Sequence, residues 1–283
     1  MPGHDEGMSF FGMTTGQTIT LPNPALARMR GGDVALGMVV RLARSGDIAR
    51  IAKTTGHDFI FLDIQHALYD EETLGHVAQA ALGCGVTCLA RVQSPSDPIM
   101  PLLLDAGFTG IVVPDVNTAD DAKRAVEACK FKPVGRRSVS GAYPMFDFRA
   151  LPLADTLRTL NDNTMLVCMI ETVEGVKNME AIAAVEGVDV VHLGCNDLLV
   201  DMGNPGAFGS PEIMEILQRE IAVCKAHSKF SGLGGDRDPV RQARFINEGI
   251  RFVTTQTDIA FLMMEATRRT TELRRVLAGG AAG

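Results

Sequence analysis

Short apolar runs recur along the chain at a steady spacing: VALGMVV (34–40), FIFLDI (59–64), VTCLARV (86–92), GIVVPDV (110–116), MLVCMIE (165–171), VDVVHLG (188–194), FSGLG (230–234) and RFVTTQT (251–257). Several are near-continuous, not alternating. A strand that is apolar on both faces is covered on both sides, as parallel strands flanked by helices are. The segments between them carry a helical period instead. SGDIARIAKTTG, DEETLGHVAQAALGCG, SDPIMPLLLDAG, NTADDAKRAVEAC, TVEGVKNMEAIAAVEG, SPEIMEILQREIAVCKAHS, DPVRQARFINEG and DIAFLMMEATRRTTELRRVL come after the runs in order. Most open on Ser, Thr, Asp or Asn, whose side chains cap free N–H groups, and several close on Gly.

Strand and helix therefore alternate eight times. Repeated βα units predict a parallel sheet, and eight of them match a closed (β/α)8 TIM barrel of the α/β class. An open doubly wound sheet is the alternative. It needs the strand order to reverse, and GLGG at 232–235 is too short for a dinucleotide fingerprint. Residues 1–24 are Gly-, Thr- and Pro-rich and read as an N-terminal extension; 25–283 read as a single barrel domain. Pro22 and Pro24 introduce ALARMRGG, a candidate short helix. The longest interruption is KFKPVGRRSVSGAYPMFDFRALP (130–152), followed by the helix-like ADTLRTLNDN. Long loops on a compact scaffold are often functional.

Composition removes some functions. A net charge of −7 and a pI near 5.4, with no Lys/Arg cluster, argue against nucleic acid as the main partner. The six cysteines form no Cys-x-x-Cys pair, and Cys88, Cys168 and Cys195 sit in or beside apolar runs. That is the usage of reduced thiols in a cytoplasmic protein. MPGHDEGMSFFGM opens acidic and lacks an uninterrupted apolar stretch, so no signal peptide is expected, and no segment approaches a membrane span.

Barrel enzymes carry their chemistry at the carboxyl ends of the strands. There the chain offers Asp63, Gln65 and His66; Arg91; Pro114 and Asp115; Glu171; His192, Asn196 and Asp197; and Gly234, Gly235 and Asp236. Glu171 and Asp197 end adjacent strands. Two carboxylates plus water suit a hard divalent ion, Mg2+ or Mn2+, with positions open to a substrate's keto and carboxylate oxygens. Arg91 can hold a substrate carboxylate by paired hydrogen bonds. Each residue alone has a plainer reading: Glu171 as a first-turn helix acid, Asp197 as an N-cap, His66 as a structural histidine, Arg91 as an acid's partner. Asp105 reads as a solvated helix residue, His192 as core, and Asp115 and Asp236 as loop acids. Their joint placement on one face is the stronger signal.

GHDFIFLDIQHALYDEETL, the stretch from CLARVQSPSDPIM to KFKPVGRRSV, VCMIETVEGVKNMEAIAAVEGVDVVHLGCNDLLVDMG and the terminal helix resemble the HpcH/HpaI family of class II 2-keto-3-deoxy-acid aldolases, over roughly residues 30–278. The resemblance implies a modified (β/α)8 barrel of the phosphoenolpyruvate/pyruvate type and a metal-dependent aldolase. It assigns the metal to Glu171 and Asp197, with Mg2+ or Mn2+ expected and Co2+ or Zn2+ as substitutes. It assigns substrate binding to Arg91, catalysis to His66, orientation of that histidine to Asp105, and the acceptor loop to Gly135-Arg136-Arg137-Ser138. It implies a homohexamer in which the last helix, FLMMEATRRTTELRRVL, is exchanged between neighbours.

Three positions depart from the family pattern. Ile64-Gln65-His66 stands where many members have Gly-Glu-His, Met169 where many have Gln, and Asp115 where an apolar residue is usual. Met169 lies two residues before Glu171 and so shares its face of the strand, but it cannot donate a hydrogen bond. The expected reaction is cleavage of a 4-hydroxy-2-oxo acid to pyruvate, or a close 2-oxo acid, and an aldehyde, through a metal-stabilised enolate. Lys53, Lys130 and Lys177 fall on predicted helices or loops, so no strand-end lysine is available for Schiff-base chemistry. The alternatives are a CoA-ester lyase, a 2-oxo-acid decarboxylase, or a non-catalytic barrel that binds a small acid.

Overall fold

The computed structural model describes residues 21–279. Eight strands close a barrel in sequence order, every neighbouring pair parallel: β1 (Ala35–Val40), β2 (Phe59–Asp63), β3 (Thr87–Arg91), β4 (Gly110–Val113), β5 (Met165–Ile170), β6 (Val190–Gly194), β7 (Phe230–Gly234) and β8 (Phe252–Thr257). The expected strands are all present. Around them run α1 (Pro24–Arg30), α2 (Asp47–Thr54), α3 (Glu71–Cys84), α4 (Met100–Ala106), α5 (Ala119–Cys129), α6 (Leu153–Asn163), α7 (Val173–Ala183), α8 (Cys195–Asp201), α9 (Pro211–Ala226), α10 (Pro239–Glu248) and α11 (Asp258–Leu277). No helix of the described residues is long and apolar enough to cross a membrane.

Two layers of apolar side chains explain the near-continuous runs. Outward-facing residues such as Ile60, Leu62, Ile111, Cys168 and Leu193 meet the helices. Inward-facing Phe59, Phe61, Leu89, Val112, Met165, Val167, Val190 and Phe252 fill the barrel. Phe59 and Phe252 stack at 4.3 Å. The space for that pair comes from Gly37, where an added Cβ would lie 1.9 Å from the Phe59 ring.

The predicted short helix near residue 25 is α1, and it plugs the floor of the barrel. Ala25, Leu26 and Met29 join the inner core. Asn23 caps α1 and ties it down, donating to the carbonyls of Thr109 (3.2 Å) and Asn163 (2.8 Å). The proposed extension otherwise falls on residues 1–20, outside the described residues. Among the described residues the barrel is thus plugged below by α1, and its inner cavity opens at the carboxyl ends of its strands.

α11 behaves differently from the other helices. It touches β1 and β8 where it begins, yet Asp258 is its single buried residue among those described. Phe261, Leu262, Met263 and Met264 are exposed on it.

One buried acid predicts an unusual pH response. Glu220 of α9 is fully buried; its Oε1 accepts the Gly232 N–H at 2.8 Å, while Oε2 has no partner. Burial pushes this carboxyl well above its ordinary value, so the native state keeps the proton. The unfolded chain ionises near 4.5, so the stability contribution is complete below that pH and is lost as pH rises. Glu220→Gln should therefore raise Tm over the wild type at pH 8, by a margin that shrinks at pH 5. Thermal melts at the two pH values check this.

Candidate active site

The mouth of the barrel holds a cavity of about 480 Å³, open side included, lined by Arg41, His66, Arg91, Met169, Glu171, His192, Asn196, Asp197 and Arg237 among others. Five residues assigned a role from the sequence meet there, His66, Arg91, Met169, Glu171 and Asp197, joined by the strand-end residues His192, Asn196, Gly234 and Gly235.

Asp63, the last residue of β2 and fully buried, organises one side. Its Oδ1 accepts Arg91 Nε at 2.9 Å and its Oδ2 accepts Arg91 Nη2 at 2.7 Å. Oδ2 also accepts Arg41 Nε at 2.5 Å, and Oδ1 the backbone N–H of His66 at 3.3 Å. Burial alone would raise the Asp63 pKa. The hydrogen bonds and charges of Arg91 and Arg41 outweigh it, and the carboxyl sits below its ordinary value. Arg91 is thus both an acid's partner and a cavity residue, its Nη1 left over from the fork to Asp63. Burial and the Arg91 charge lower the pKa of His66, which favours the neutral imidazole, a base.

Glu171 answers for the other side. It immediately precedes Thr172, the N-cap of α7, so it lies outside the helix's first turn. It is 3% exposed and accepts one hydrogen bond, from the backbone N–H of Asp115 to Oε2 at 3.2 Å. Asp115 takes a left-handed φ of 53° to aim that N–H. Gly194 ends β6 beside the carboxylate; a Cβ there would stand 2.5 Å from Oε1. Burial pushes Glu171 up to about 7, with Asp197 adding to the rise. Asp197 lies in the first turn of α8, which starts at Cys195, so it is not the N-cap. Among the described residues no basic side chain stands within ion-pair distance of Glu171 or Asp197. Nor does any group of three or more His, Cys, Asp or Glu gather there. Two uncompensated carboxylates, one of them buried, form an oxygen-donor set that leaves most of an ion's shell to water and substrate.

The remaining predicted residues lie elsewhere in this chain. Asp105 sits on α4 and accepts Arg137 Nη2 at 2.5 Å. Arg137 also lies over the rings of Phe131 (4.7 Å) and Tyr143 (5.9 Å). Arg137 and exposed Ser138 belong to the long excursion and Asp105 to α4, and none of the three lines the cavity. Arg41 and Arg237 are cavity residues that the sequence reading does not single out. Arg41 is the first residue after β1, a placement close to that of Arg91, which ends β3. Arg237 stands one residue beyond the strand-end Gly-Gly-Asp.

The chemistry gathered at one end of eight parallel strands marks the chain as a barrel enzyme. Residues 37–263 match the HpcH/HpaI aldolase/citrate lyase family, and the chain belongs to that family. It is a carbon–carbon lyase. It is 33% identical over 248 residues to a 4-hydroxy-4-methyl-2-oxoglutarate aldolase of Chaetomium globosum, covering 86% of this chain and 92% of the relative. It is also 33% identical over 240 residues to a 5-keto-4-deoxy-D-glucarate aldolase of Klebsiella pneumoniae, covering 84% and 91%. The crystal structure of an HpcH/HpaI aldolase from Desulfitobacterium hafniense superposes with a TM-score of 0.83 at 26% identity, covering 88% of this chain and 95% of that one.

His192 predicts a response to acid. Buried on β6, it is wedged beside Gly232 and Gly234, where added Cβ atoms would lie 2.6 and 2.5 Å from its ring nitrogens, and it meets Phe252 edge-on at 5.3 Å. Its Nδ1 has no partner. Burial depresses its pKa to about 3, from 6.5. Its contribution is therefore complete above pH 6.5 and is lost as pH falls toward 3. Unfolding free energy should fall by about 1.4 kcal/mol per pH unit below 6 through this group alone. Denaturant titrations should give His192→Asn a shallower acid slope than the wild type.

Proposed function

We propose that the chain is a divalent-metal-dependent class II aldolase cleaving a 4-hydroxy-2-oxo acid to pyruvate, or a close 2-oxo acid, and an aldehyde or ketone. The observation that carries this reading is the convergence of Glu171 and Asp197, without a basic partner, beside Arg91 and a neutral-leaning His66. In a cavity already lined by three arginines, carboxylates left unpaired suit a cation from outside the chain. Mg2+ or Mn2+ fits two carboxylates with the rest of the shell open. When bound, such an ion supplies Lewis-acid stabilisation of the negative charge that grows on the 2-oxo oxygen.

The residues of the chain do the rest. Arg91, held rigidly by Asp63, offers Nη1 to the substrate's C1 carboxylate. His66 takes the proton of the C4 hydroxyl as the C3–C4 bond breaks. The C4 oxygen becomes the carbonyl of one product, the electron pair passes to the enolate of the 2-oxo acid, and a proton returned to C3 completes it. Met169 lays an apolar thioether against the donor end, where a hydrogen-bonding side chain would hold a hydroxyl. This favours pyruvate over hydroxylated donors. The exposed apolar face of α11 supports its packing against a neighbouring subunit and so a homo-oligomer, a hexamer by family resemblance. All six cysteines are free, which supports a cytoplasmic location.

The first test follows pyruvate methyl protons by NMR in D2O, with chelated enzyme and then with added Mg2+ or Mn2+. Metal-dependent exchange is expected, and Glu171→Ala and Asp197→Ala should each lower it by at least about a thousandfold. Exchange that persists in chelated enzyme, or none when calorimetry shows metal bound, would sink the reading.

A further inference from the structure

Arg41 and Arg237 have no role in the cleavage mechanism, yet both line its cavity. Their anchoring is that of a built site. The loop that carries Arg41 is pinned by Asp258, whose carboxylate accepts the backbone N–H groups of Arg41 (3.0 Å), Leu42 (2.9 Å) and Ala43 (2.8 Å). The loop that carries Arg237 is pinned by buried Asp236, which takes Arg241 Nε at 2.6 Å and Nη2 at 2.9 Å. Gln242 holds the Asp236 carbonyl at 2.9 Å. Both guanidinium groups thus stand on fixed backbone.

Their charges are unequally matched. Asp63 faces Arg41 through Nε only, which leaves the two outer nitrogens of that fork. Arg237 donates through Nη1 to the backbone carbonyl and the hydroxyl (3.0 Å) of Thr254. Among the described residues no carboxylate stands within ion-pair distance of Arg237. Its neighbourhood disfavours its charge, through burial first and the proximity of Arg41 second. A desolvated cation without a counter-charge is costly unless something supplies one. The C1 carboxylate of the substrate is matched by Arg91. β1 stands four strands from β5 either way round the barrel, so Arg41 and Glu171 enter the shared cavity from opposite sides of the mouth. Arg237 comes after β7, on the way between them.

We propose that Arg237 and the outer nitrogens of Arg41 form a second carboxylate subsite, so that the substrate is a 4-hydroxy-2-oxo dicarboxylic acid whose carbonyl product is itself a carboxylic acid. Arg is suited to this task because its planar fork matches a carboxylate by two parallel hydrogen bonds. The proposal rests on the aldol-cleavage reading and adds the specificity of its far end.

The test compares two substrates that differ only in the far carboxylate: 4-hydroxy-4-methyl-2-oxoglutarate and 4-hydroxy-4-methyl-2-oxopentanoate, with pyruvate release as the readout. The wild type should prefer the dicarboxylate by about a hundredfold in kcat/KM. Arg237→Met should lower kcat/KM on the dicarboxylate by roughly 30- to 100-fold and on the monocarboxylate by less than about threefold, so the preference collapses. Arg237→Lys, which keeps the charge without the fork, should retain part of the preference and raise KM on the dicarboxylate more than it lowers kcat. Equal losses on both substrates would make Arg237 a strut for β8 and overturn the proposal. So would a wild type with no preference, or one that exchanges pyruvate protons with metal but does not cleave the dicarboxylate. A wild type that neither exchanges nor cleaves would remove the cleavage reading itself, a separate result.

Discussion

The site depends on one buried anion. Asp63 is fully inaccessible and holds two guanidinium groups and a backbone N–H on its two oxygens. It joins the loop after β1, the turn after β2 and the last residue of β3. Such an arrangement stabilises little in net terms, since Asp63 and Arg91 must leave water. Its value is positional. Losing the carboxylate would leave two cations facing each other beside a low-dielectric floor, a cost of about 3–5 kcal/mol when a buried ion pair loses one partner. The penalty for any other arrangement is what holds Arg91 in one rotamer. The same residue sets the turn that presents His66. One aspartate therefore aligns Arg91 and His66, the cation and the base of the proposed mechanism.

Glycines make the opposite wall. The Glu171 carboxylate lies where a side chain on Gly194 would be, and the His192 ring where side chains on Gly232 and Gly234 would be. Adjacent strands of a parallel barrel stand under about 5 Å apart, so inward residues compete for the same space. Removing three Cβ atoms from β6 and β7 lets a buried carboxylate and an imidazole lie side by side with their neighbours. The floor uses the same device at Gly37, to admit the Phe59–Phe252 stack. Below, the space is filled by aromatic rings; above, it is left for a ligand.

The eight strands are legible in the sequence because burial on both faces leaves a near-continuous apolar run that turns do not. The carboxylate pair is legible because Glu171 breaks one such run at its carboxyl end and Asp197 follows another within three residues, in the first turn of α8. The partners of those residues are less so. Asp63 also ends a run and is visible as a strand-end acid, but its grip on two arginines is a matter of side-chain direction, which linear order does not carry. Arg41 escapes notice although it follows β1 as Arg91 ends β3. Arg237 lies three residues past its strand, on a loop whose course is set by the Asp236–Arg241 pair. Asp105 and Arg137 read as site residues through family resemblance, yet in this chain they pair with each other outside the cavity. Sequence places residues at the ends of strands; rotamers and loop anchors decide which of them face inward.

The charge pattern links these observations. Asp63 answers most of the charge of Arg91 and part of that of Arg41, so the cavity is not neutralised from within. Its acids, Glu171 and Asp197, lie on the β5–β6 side, and its unmatched cation, Arg237, lies beyond β7. A folded barrel normally brings opposite charges together when they share a low-dielectric space, because separated charges there interact strongly and solvate poorly. Here the anchors of both loops and the glycine-made wall hold them apart. Such separation persists only where the rest of the fold enforces it, and it leaves each charge dependent on an outside partner: a cation for the carboxylates, an anion for the arginines. The proposed ligands, a metal together with a carboxylated substrate, bring both signs to the charges the chain leaves open.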